Sequence, residues 1–264
     1  MHSIYTINRE EKCQRMMIST KEKVIQTANR IRPLLTDELK LTARPILTYL
    51  VNNYNVNIMT YKEVERDYHI GQYKLRGLTQ SDDAVSYYLP STHQFHLLYN
   101  SEVLKERKVW SICHEAGHII REHQVCCPNG SDKERSLMEW EANTFARELL
   151  APTALVYGAI AKFRKEPATR QDLYFMYRHL FGLSKHASSL ASNIVYNERP
   201  EINPDILQYY GDKLTAIFPF IKTRREYEEL LACITRTEYD TFKYARDYLD
   251  TFNPIGRSCI LAKI

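Results

Sequence analysis

Residues 105–123 read KERKVWSICHEAGHIIREH, and the interpretation of the whole chain turns on this stretch. Trp110, Ile112, Cys113, Ala116, Ile119 and Ile120 make it largely apolar, as expected of a buried helix spanning about 101–123. Within it, His114-Glu115-Ala116-Gly117-His118 forms an HExxH. On a helix, positions i and i+4 lie about 40° apart on one face, so both imidazoles can bind a single zinc ion through neutral ring nitrogens. Glu115 sits about 60° round from His118, beside such an ion instead of on it. A carboxylate there can take a proton from an attacking water and later deliver it to a leaving amine.

A catalytic zinc needs a third protein ligand and an open position. Residues 139–146, EWEANTFA, supply a candidate. Glu139 and Asn143 share a helix face, whereas Glu141 lies about 200° from Glu139, so only one of the two glutamates can face the metal. Glu139 is assigned as the ligand, with Glu141 as the alternative or as a solvated helix residue. Asn143 is placed to hydrogen-bond a ligand histidine and fix its tautomer. Ala142 and Ala146 are small enough to let this helix approach the HExxH helix closely. His123 lies about 140° off the metal face, which places it beside the site or in solvent. Cys126 and Cys127 read as loop thiols and Cys113 as core. His179 and His186 read as packing or surface residues.

The 264 residues are 44% hydrophobic and 26% charged, an ordinary globular composition that needs no metal merely to hold a core. A formal net charge of +4 is too weak to announce a nucleic-acid or anionic-membrane binder. No apolar window is long enough for a membrane span, and the charged N-terminus does not read as a signal peptide. A cytosolic location is therefore expected, with the six scattered cysteines as thiols. Residues 1–18 read as an N-terminal arm. Ser19 and Glu22 make a capping box for a helix to about Leu35, and a second helix is expected over 36–54, kinked at Pro45. VNIMTY (56–61), AVSYYL (84–89) and QFHLLY (94–99) read as strands, the last two joined by a hairpin turn at 90–93. Ser131 and Glu134 make a second capping box, for a helix to about Leu150. Residues 153–264 read as all-helical. Leu173 to Ile194 fits a helix, a turn at Gly182 and a second helix. As a helix-turn-helix it would bind DNA, but Lys185 and His186 are the second helix's only basic-type residues, which favours a packed αα-hairpin. The tail tyrosines (Tyr209, Tyr210, Tyr227, Tyr239, Tyr244, Tyr248) suit helix packing or a partner.

CHEAGH followed by EWEANTFARELLAP resembles the ImmA/IrrE family of metallopeptidases, whose pattern is HExxH, ExxAN and FAxxLLxP. His114, Glu115, His118, Glu139, Ala142, Asn143, Phe145, Ala146, Leu149, Leu150 and Pro152 carry the match. Phe95 to Asn100, Arg107, and Phe181 to Ser184 with Ala187 extend it, over about residues 37–195. The resemblance implies an α+β fold. A zincin-like domain (19–152), with a small β-sheet and the HExxH helix, precedes an all-helical C-terminal region (153–264). It also implies gluzincin-type zinc ligation and an intracellular protease that cuts a helix-turn-helix transcriptional repressor. The strand at 94–99 either offers its edge to an extended substrate segment or is fully paired within the sheet. The contrasting reading is a DNA- or protein-binding regulatory module with a structural or vestigial zinc site.

Overall fold

The computed structural model describes residues 21–156, 169–198, 205 and 208–211. Helices α1 (Lys21–Leu35) and α2 (Ala43–Asn53) open this part of the chain. The arm at 1–18 and Ser19, the expected cap of α1, lie outside the described residues. Helix α2 starts at Ala43, not at Thr36, so Pro45 falls in its first turn. A missing N–H breaks no ladder bond there, and the proline starts the helix instead of kinking it.

Strand β1 (Val56–Thr60) ends in a residue that also caps helix α3 (Tyr61–Tyr68) through a reciprocal capping box with Glu63. Helix α4 (Gln72–Thr79) follows. Neither helix is expected from the sequence pattern, although Thr60-x-x-Glu63 is a start signal for the first. These helices carry the chain past one strand position to β2 (Ala84–Leu89), and the hairpin then inserts β3 (Gln94–Tyr99) beside β1. The sheet order is β1-β3-β2, with β1 parallel and β2 antiparallel to β3. Strand 94–99 is therefore central and paired on both sides, so of its two readings the fully paired one holds and it offers no free edge. The edges belong to β1 and β2.

Helix α5 (Lys105–Ile120) packs beneath the sheet and is followed by a single helical turn, α6 (His123–Cys126). Helix α7 (Asp132–Leu150) opens on the expected capping box, with the Ser131 N–H donating to Glu134 Oε2 at 2.6 Å. Helix α8 (Arg170–Phe175) runs into a π-helical turn (Met176–Leu180). Gly182, at a φ of 74° that glycine adopts without strain, then reverses the chain into α9 (Lys185–Glu198).

One buried cluster joins these layers: Val24 and Ala28 of α1, Leu50 of α2, Phe95 and Leu97 of β3, Ile112 of α5, Phe145 and Leu149 of α7, and Leu173, Tyr177, Ala191 and Val195 of the α8–α9 hairpin. The opposite face of the sheet covers a smaller cluster of Tyr61, Val64, Leu75 and Leu98. Ala191 and Val195 face inward, so the hairpin is packed into the core. Cys113 is fully buried, which pushes its thiol up from the ordinary range, and it and Cys126 carry free thiols. Cys127 is disulfide-bonded, a correction to the reading of all six cysteines as thiols.

The tightest contact in this core is between α5 and α7. A Cβ placed on Gly117 would meet Ala142 Cα at 3.1 Å, Ala142 O at 3.3 Å and Phe145 Cβ at 3.3 Å. A branched side chain would have to push the two helices apart. Gly117→Val is therefore expected to destabilise the metal-free protein by roughly 1–3 kcal/mol, the usual cost of overpacking, and Gly117→Ala by less. Urea denaturation followed by circular dichroism measures both.

Candidate metal centre

His114 and His118 stand one turn apart on α5, with their Nε2 atoms 3.2 Å apart. Glu139 reaches them from α7: Oε2 lies 3.3 Å from His114 Nε2 and Oε1 lies 3.4 Å from His118 Nε2. Zinc with metal–ligand bonds of about 2.0–2.1 Å in a tetrahedron separates its ligand atoms by about 3.3–3.4 Å. The two imidazole nitrogens stand near that spacing, and each has one of the two Glu139 oxygens at it, so the residues present fit the ion. Among the described residues they form the group of potential ligands whose donor atoms all lie within 4.8 Å of one another. Glu139 is 59% exposed whereas His118 is 10% exposed, so the site is walled by α5 and open on the Glu139 side.

The outer ring nitrogens are held by neighbours. His114 Nδ1 lies 3.1 Å from Asn143 Oδ1, an acceptor that places the proton on Nδ1 and leaves Nε2 as the free lone pair. His118 Nδ1 lies 2.9 Å from His123 Nδ1. The close approach of both imidazoles holds the Glu139 carboxyl well below the usual carboxylate range. Burial alone would lower His114, but its bond to Glu139 and the negative charges of Glu115 and Glu139 outweigh it and keep the imidazole above its ordinary value.

Glu115 is buried and turned toward the edge strand β2. Its Oε2 accepts from the Ser86 N–H at 2.7 Å and from the Ser86 hydroxyl at 2.6 Å. Gln124 Nε2 donates to that hydroxyl at 2.9 Å. Ser86 and Gln124 escape sequence reasoning because a strand and a post-helical turn meet only in the fold.

The remaining candidates separate. Glu141 is not brought to His114 and His118, and it is not solvated: it is 3% exposed on the far side of α7. Its Oε2 lies 3.2 Å from His123 Nε2 and accepts from Arg121 Nε at 3.0 Å. Bonds from His123 and Arg121 outweigh the burial that would raise it and hold its carboxyl below the usual range. His123 is buried, and burial lowers its imidazole. His179 is buried against the Phe175 ring, with centroids 4.7 Å apart. Lys185 and His186 are exposed on α9 and line, with Trp110, Glu139 and Trp140, a cleft of about 1210 Å³. Arg107, at the cleft mouth, pairs with Asp83.

Residues 73–187 match the peptidase-family model described as the IrrE N-terminal-like domain. Over this segment the chain is similar to that peptidase family. A comparison with curated proteins finds no match. The matched segment contains Ser86, the HExxH helix, His123, Glu139, Glu141 and Asn143, so the whole constellation falls inside it. No described helix is long and apolar enough to cross a membrane. Elemental mass spectrometry is expected to find about one zinc per chain in the purified wild type and a small fraction of that in Glu139→Ala.

Proposed function

We propose that this chain is a zinc-dependent endopeptidase that cuts a specific protein partner in the cytosol. The observation that carries the reading is the three-way spacing of His114, His118 and Glu139 beside a buried Glu115. A structural site would close all four positions with protein ligands; this one offers three donors and an open side.

When bound, zinc supplies Lewis acidity toward the scissile carbonyl and toward water. Glu115 provides the acid–base function. Both of its hydrogen bonds fall on Oε2, which leaves Oε1 to take a proton from the attacking water. As the water oxygen bonds to the carbonyl carbon and the C–N bond breaks, Glu115 returns that proton to the departing amine nitrogen. Asn143 keeps His114 oriented by accepting from its Nδ1–H.

Substrate entry follows from the sheet. The Ser86 N–H points away from β3 toward Glu115, and by the two-residue alternation of a strand the outer N–H and C=O of Tyr88 point the same way. An extended segment pairing along this edge would run past Glu115 and the metal ligands. The cleft walled by α9 has room for side chains on either side of the cut. The partner favoured by the motif resemblance is a helix-turn-helix transcriptional repressor.

Glu115→Gln tests the chemistry. It keeps the shape of the side chain but cannot accept the proton, so it is expected to bind zinc as wild type does and to lose cleavage by at least about 100-fold. Cleavage of a co-purified or co-expressed partner, followed by mass spectrometry, reads the activity. A Glu115→Gln protein with full biological function would point instead to a binding module.

A further inference from the structure

We propose that His123 and Glu141 are positioning residues that force His118 into its metal-binding tautomer through a buried, one-directional hydrogen-bond chain. The inference rests on the metal site above and assigns to it two residues that do not touch the metal.

The chain can be followed atom by atom. His118 Nε2 faces His114 Nε2 and Glu139, and its other nitrogen, Nδ1, lies 2.9 Å from His123 Nδ1. His123 Nε2 lies 3.2 Å from Glu141 Oε2, which also accepts from Arg121 Nε at 3.0 Å. His123 and Glu141 are 2% and 3% exposed, so water does not complete these bonds.

The directions follow from what each group is able to do. A carboxylate paired with a guanidinium only accepts. His123 must therefore donate from Nε2, which leaves its Nδ1 as an acceptor. Two Nδ1 atoms at hydrogen-bond distance share one proton, so His118 must donate it. With its proton on Nδ1, His118 presents a lone pair at Nε2, toward His114 and Glu139. Glu141 thus sets the tautomer of a ligand it never contacts, with His123 as the intermediary. Asn143 does the same for His114 in one step. A metal-bound histidine held in this way is both oriented and made a stronger donor.

The backbone explains how His123 gets there. Helix α5 ends at Ile120, and Glu122 takes a left-handed conformation at φ 53°. That turn swings His123 back against His118, with the two rings 5.0 Å apart and at 78° to each other. Gln124, one residue on, reaches Ser86 and through it Glu115. The same short turn therefore serves both a metal ligand and the proposed base.

Glu141→Gln is the discriminating substitution. The amide keeps the shape but can donate as well as accept, so it removes the direction of the chain and lets His118 carry its proton on Nε2. In the metal-free wild type, long-range proton–nitrogen NMR of the imidazoles is expected to show His118 protonated on Nδ1 and His123 on Nε2. In Glu141→Gln both rings are expected as tautomer mixtures, and zinc affinity, measured by competition with a chromophoric chelator, is expected to fall about 10–100-fold, as is that of His123→Ala. The thermal midpoint of each metal-free variant shows whether it remains folded. Wild-type His118 protonated on Nε2, or zinc affinities in both folded variants equal to wild type, would overturn the proposal. If wild type bound no zinc, the metal reading would fail, while the wild-type tautomer spectrum would still decide whether the chain has this direction.

Discussion

Gly117 lies against the backbone of Ala142, and the site depends on that contact. A Cβ at Gly117 would stand 3.1 Å from Ala142 Cα, so α5 and α7 cross where a larger side chain would push them apart. Gly117 sits between His114 and His118 in its turn, and Ala142 sits between Glu139 and Asn143 in its own. The crossing point is thus surrounded by the groups that must converge. Glutamate is a short ligand, and the 3.3 and 3.4 Å separations of its oxygens from the two imidazoles need this helix spacing. Phe145 and Ala146 continue the contact into the core and keep the helices from sliding.

Bringing the helices together buries groups that prefer water. Glu115, His118, His123 and Glu141 are all buried, and each has a directed polar partner, Glu141 through its Oε2. An unpaired buried charge costs several kcal/mol, so these partners are part of the folded state and not decoration on it. Ser86 takes up Glu115, Arg121 takes up Glu141, and His123 stands between Glu141 and His118. The polar partners come from β2, α7 and the turn after α5, which ties the edge of the sheet to the proposed reaction centre.

Much of the centre was legible in the chain. The i, i+4 spacing of His114 and His118, and the shared face of Glu139 and Asn143, depend only on helix geometry, and both helices are long and strongly patterned. The Ser131–Glu134 capping box marked the start of the second helix. What escaped was set by other physics. His123 was measured on a helical wheel, but the helix had already ended and Glu122 had turned the chain. Glu141 looked solvated from its place on the wheel, because nothing local shows that Arg121 and His123 lie over it. Whether strand 94–99 is an edge or a paired strand is not legible locally, because strand order is a long-range property that the short helices α3 and α4 decide. Residues 199–204, 206–207 and 212–264, where the tail tyrosines other than Tyr209 and Tyr210 fall, lie outside the described residues.

The central claim is that α5 and α7 together hold one zinc ion through His114, His118 and Glu139. Anomalous diffraction at the zinc edge, on crystals of the purified wild-type protein, tests it most directly. The account predicts a single strong peak bonded to Nε2 of both histidines and to the Glu139 carboxylate, at about 2.0–2.2 Å from each. A peak bonded instead to Glu141 or to cysteine sulfur, or no peak in zinc-reconstituted protein, would contradict it.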